Sequence, residues 1–159
     1  MLDLTLAVLH HILVFGLVAM LAIERTLLKA PVIEAWRLAR LDGGYGLTAV
    51  LVLAVGVVRV IWGGKGWAFY EANPFFWAKL AIFTVIGLIS VLPTIAFIKW
   101  ARASKADAAW QPDAAVVASA RRWVGIVLLL IFPLAMPLAK LLVLLLLILR
   151  QNETLDLAL

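Results

Sequence analysis

The sequence predicts an all-α integral membrane protein, a four-helix bundle with short loops and a kinked, overlong fourth helix. Three observations carry that class. Of 159 residues, 66% are apolar and only 14% charged, whereas a soluble domain is roughly 45–50% apolar and roughly 25% charged. The mean hydropathy is +1.11. Four apolar segments, at residues 4–23, 45–62, 76–98 and 123–149, are each long enough for a hydrocarbon layer about 30 Å thick. They fill most of the chain, so residues 1–159 read as a single transmembrane domain. Helices are the expected spanning form, because backbone groups in lipid must be satisfied internally and no strand-like alternation is present.

The first segment differs from a cleaved secretory signal. It lacks a basic leading region, opens with Asp3, and exceeds the roughly 7–15 apolar residues of such signals. After it, the first loop (24–44) carries Arg25, Lys29, Arg37 and Arg40. Within that loop Pro31 suits a first helical position and Asp42-Gly43-Gly44 a stop, which predicts a short interfacial helix over 31–41. Its Trp36 would sink among headgroups while Arg37 and Arg40 meet anionic lipid.

The second loop (63–75) holds Lys65 as its one basic residue and is rich in aromatic side chains, as an interfacial belt would be. The third loop (99–122) carries Lys99, Arg102, Lys105, Arg121 and Arg122. Positive charge concentrates in cytoplasmic loops, so both termini are expected outside, in the periplasm of a bacterial inner membrane. This distribution also accounts for the net charge of +5 without a nucleic-acid partner, since no aromatic and basic platform accompanies it. The fourth segment would be about 40 Å long at 1.5 Å per residue. Pro133 and Pro137 predict a kink with a tilt there, or a break.

Polar residues inside the spans are the candidate functional groups, because ionisable side chains in lipid are costly. His10 and His11 are the only histidines and lie in the first span. Arg59 stands near the outward end of the second span, Lys79 near the outward start of the third, and Lys140 in the outer half of the fourth. All five share one leaflet. Asp3, His10, Leu17 and Glu24 recur every seven residues and make one stripe, as do Tyr45, Val52 and Arg59. In the third span Lys79, Phe83, Gly87, Ser90 and Thr94 share a face expected to look into the bundle. Glu24 is expected to pair with Arg25 or another first-loop arginine.

Each group also has a plainer role. Long basic side chains near helix ends snorkel to the interface, and interhelical polar contacts averaging about 0.6 kcal/mol are ordinary packing.

The absence of cysteine excludes disulfides, thiolate zinc, iron–sulfur clusters and covalent c-type haem. Adjacent histidines on one helix point apart, which excludes both as axial ligands of one haem. One histidine with a second ligand such as Lys79 or a methionine is compatible with haem iron, with Arg59 or Lys140 for the propionates. Gly63-Gly64-Lys65-Gly66 is too short for a phosphate loop and reads as a turn. No nucleophile, base and orienting group can be picked out, so enzymatic activity stays open.

The His10-His11 start, Leu38-Ala39-Arg40-Leu41-Asp42, Tyr45-Gly46, Gly56-Val57-Val58-Arg59, Gly64-Lys65-Gly66, Phe69-Tyr70 and above all Asn73-Pro74-Phe75-Phe76-Trp77-Ala78-Lys79-Leu80 resemble a bacterial family of four-helix inner-membrane proteins with a domain of unknown function. That resemblance spans roughly residues 6–137 and implies architecture alone. A first-helix histidine, a second-helix arginine and a third-helix lysine also look like the plan of the four-helix b-haem protoporphyrinogen oxidases and nearby copper-resistance membrane proteins. This likeness implies b-type haem and redox chemistry, although the chain lacks histidines in its later helices.

Together these readings predict a polar pocket in the periplasmic half, built from His10, His11, Arg59, Lys79, Tyr70 and Asn73. It would bind b-type haem, with His10 or His11 on the iron, or another planar or anionic ligand. The alternative is a non-enzymatic carrier or scaffold whose polar residues bind lipid or hold a homodimer together, with apolar surface on the long last helix covered by a partner.

Overall fold

The structure is a computed structural model and describes residues 2–135. Four long helices and a short one account for most of them: α1 (Leu2–Leu27), α2 (Ala35–Trp62), α3 (Gly66–Glu71), α4 (Pro74–Ala106) and α5 (Ala114–Ala135). The long helices are each apolar and extended enough to cross a membrane, as the sequence predicts.

Each long helix packs on two others. α1 touches α2 and α5, α4 touches the same two, and among the described residues the diagonal pairs stay apart. That is the neighbour pattern of an up-and-down four-helix bundle with short connections. At one end Ile33 N donates to Gln111 Oε1 at 2.9 Å, joining the first basic loop to the third. At the other end α3 bridges α2 and α4.

The core runs along the bundle axis through Leu17, Val52, Ile86, Phe97, Val124 and Ile131, all buried. Outward-facing positions are apolar as well; Leu88, Leu4 and Leu129 are 69%, 67% and 74% exposed. A soluble bundle places polar residues there, so this inverted surface is one that lipid covers.

The structure corrects three boundaries. No separate interfacial helix occupies 31–41: α2 begins at Ala35 and continues unbroken through Asp42-Gly43-Gly44. Each glycine costs a helix only about 1 kcal/mol, and burial of Leu38, Asp42 and Tyr45 on one face outweighs it. The fourth span starts at Ala114, nine residues before the predicted Trp123. Asp113 Oδ1 accepts from Ala115 N at 2.7 Å and caps it, and buried Ala120 and Val124 hold the early turns to the core. Likewise α4 continues past Ile98 to Ala106, with Pro93 accommodated inside it. α5 is helical as far as Ala135, past Pro133. The kink or break expected from Pro133 and Pro137 extends beyond the described residues, and Pro137, Lys140 and the course of residues 138–159 lie outside them.

Candidate functional site

The two seven-residue stripes face each other across the α1–α2 seam. Because the helices are antiparallel, Asp3 of α1 meets Arg59 of α2, His10 meets Gly56, Gly16 meets Thr48 and Gly44 meets Met20. Small residues at three of these steps let the backbones approach closely, as membrane helix interfaces favour.

At the end of the seam Asp3 Oδ1 accepts from Arg59 Nε at 3.4 Å, with both side chains partly exposed. A Cβ on Gly63 would collide with the Arg59 carbonyl and come 3.1 Å from Asp3 Oδ1, so glycine is needed where α2 ends. Asp3 belongs to the predicted polar stripe, but its pairing with Arg59 depends on a register that only the fold shows.

Two helical turns along α1 from Asp3, the His10 ring lies half-buried against Gly56, its Cε1 3.7 Å from where a Cβ would stand. Its Nδ1 is buried with no hydrogen-bond partner. The Val52 backbone is within hydrogen-bonding reach of the ring, and His11, Arg59 and, more weakly, Lys79 act on it through charge. The local charge is therefore dominated by cations, with Asp3 as the nearby carboxylate.

His11 has a different environment. It is exposed, and its Nδ1 bonds the Ala7 carbonyl at 2.7 Å within the same helix. The two rings sit 6.2 Å apart and nearly perpendicular, as the helical rotation requires.

The other predicted pocket residues have local work. Asn73 Oδ1 caps α4 by accepting from Phe75 N at 3.0 Å. Tyr70 stands between Phe69 and Phe76, with ring centroids 5.4 Å away in each case, in an aromatic cluster that continues to Trp77. Neither is hydrogen-bonded to His10. Lys79 is exposed and acts on His10 through charge alone. On α4, Ser90 and Thr94 turn inward as expected, whereas Lys79 and Gly87 are exposed.

A second polar group lies toward the basic loops. Glu24 and Asp42 are 1% and 5% exposed, and Ser90 is buried beside Tyr45. Glu24 forms no ion pair among the described residues, contrary to expectation. Arg25 instead lies across α5, its Nη1 3.1 Å from where a Cβ of Gly125 would be, and the electrostatic neighbour of Glu24 is Asp42. The sequence misled at Asp42, which precedes two glycines and looks like a helix stop.

A family model described as "Predicted membrane protein (DUF2214)" matches residues 2–143. No curated protein and no solved structure matches the chain. The likeness to haem oxidases and copper-resistance proteins thus rests on three residues and the topology.

Proposed function

This chain belongs to the DUF2214 family of predicted membrane proteins, and from that premise we propose that it binds an anionic or planar ligand at the end of its α1–α2 seam. The observation that carries this reading is the half-buried His10 ring beside Arg59, whose buried Nδ1 has no well-formed hydrogen bond and has only the Val52 backbone as a polar neighbour on α2. Burying a polar atom without a hydrogen bond costs about 1–3 kcal/mol, and a ligand that accepts or donates there removes the cost. Arg59 is held by a single contact to Asp3, which leaves guanidinium N–H groups to grip a carboxylate or phosphate.

The close approach of His10 to Gly56 favours a small anion over a macrocycle on that side. In the b-type haem version, His10 or His11 would hold the iron, which would supply redox chemistry. The site lies opposite the basic loops, so charge bias supports a periplasmic location in a bacterial inner membrane, with anionic lipid at the basic face. The scaffold and homodimer reading draws on the apolar chain beyond Ala135, outside the described residues.

Two measurements on the purified full chain decide. Benzoate and inorganic phosphate, as planar and tetrahedral anionic probes, should raise the thermal midpoint of the wild type. His10→Ala and Arg59→Ala should remove that response while His11→Ala keeps it. Equal responses in all four proteins would refute the site. A visible spectrum after haem-replete expression judges the haem version, which is abandoned without a Soret band.

A further inference from the structure

The buried carboxyl pair near the basic loops has more acceptors than donors. Glu24 lies one turn from the end of α1 and Asp42 two turns into α2. Tyr45, from the next turn of α2, has both carboxyls as electrostatic neighbours. Ser90 and Thr94 of α4 close the group: Tyr45 Oη is 3.3 Å from Ser90 Oγ, and Thr94 Oγ1 is 3.1 Å from Asp42 Oδ1.

With both carboxyls ionised, proton counting shows the deficit. Ser90 donates its hydroxyl proton to the Ile86 carbonyl at 2.8 Å, so Tyr45 supplies the proton between them. Thr94 has one proton and two acceptors, the Ser90 carbonyl at 2.9 Å and Asp42 Oδ1 at 3.1 Å. Glu24 Oε1 receives nothing, although it is fully buried. Among the described residues no cationic side chain compensates. Arg25 lies over Gly125, Arg40 and Arg121 are exposed, and α4 contributes only hydroxyls to the group.

From this geometry we infer that Glu24, Asp42, Tyr45, Ser90 and Thr94 form a binding site for a small hard cation, separate from the seam-end site. Oxygen donors of this kind, two of them carboxyls, suit sodium or calcium rather than a soft transition metal. A cation supplies the positive charge that none of the described residues places there, and Glu24 Oε1 is the ligand position that otherwise has no partner among them. The inference does not rest on the anion-binding proposal.

The test follows thermal unfolding of the full chain in detergent at constant pH. Sodium, potassium, calcium and magnesium chlorides are compared with choline chloride at equal ionic strength. One of the inorganic cations should raise the midpoint by several degrees and saturate, and Glu24→Gln and Asp42→Asn should each remove that response. Equilibrium dialysis of the wild type against radioactive sodium or calcium should find one ion per chain, which decides the matter even if the variants do not fold. A midpoint that responds to pH but to no cation beyond choline would mean a shared proton and overturn the site, as would dialysis without bound ion.

Discussion

One residue step, about 100° of helix, separates a histidine turned into the α1–α2 seam from one turned to the surrounding lipid. The stripe shared with Asp3 and Glu24 already assigns the inward place to His10, and the structure agrees. The unpartnered Nδ1 is not legible in that pattern, because it depends on which α2 atoms lie opposite. Gly56 is the sensitive neighbour. Gly56→Ala should be tolerated, since its Cβ would make ordinary contact at 3.7 Å. Gly56→Leu should displace the imidazole and lower stability by about 1–3 kcal/mol, read as a fall in thermal midpoint together with loss of the phosphate response. Gly63→Ala should also destabilise, because the added carbon meets the Arg59 carbonyl; a wild-type midpoint would refute the steric reading.

At the scale of the helix, the apolar segments were readable but their ends were not. Hydropathy marks where lipid contact begins, whereas α2, α4 and α5 extend beyond it on buried faces such as Leu38, Trp100 and Ala120. Gly43-Gly44 looks like a stop only while its tertiary partners are unknown. A substitution tests this directly: no atom lies within 4 Å of a Cβ at Gly43, so Gly43→Ala should stabilise a continuous helix by about 0.5–1 kcal/mol. A loss of stability would favour the predicted break. At the start of α4, Asn73→Ala removes the bond to Phe75 N and should cost about 1 kcal/mol. Denaturant titration in micelles, with the anion response measured alongside, separates that capping role from a place in the ligand site.

Across the whole molecule, charge bias and topology make one prediction together. The chain contains no cysteine, so single introduced cysteines report orientation cleanly. Gly64→Cys, between α2 and α3, should react with a membrane-impermeant maleimide added to intact spheroplasts, and Ser104→Cys, near the end of α4, should react only after lysis. The reverse pattern would invert the orientation and place the seam-end site in the cytoplasm. Composition and hydropathy were sufficient to establish a four-span helical membrane protein, because the cost of burying backbone in lipid leaves few alternatives. Charge distribution supplied an expected orientation, and helical period supplied the inward faces of α1 and α2. Only tertiary structure decided which residues on those faces meet. Asp3 joined Arg59, His10 lay against Gly56, and Glu24 came within electrostatic range of Asp42 instead of pairing with an arginine. The physical reason is that a helix's own period specifies the direction of a side chain, while its partner depends on the axial register between helices, which is set by packing along the entire seam.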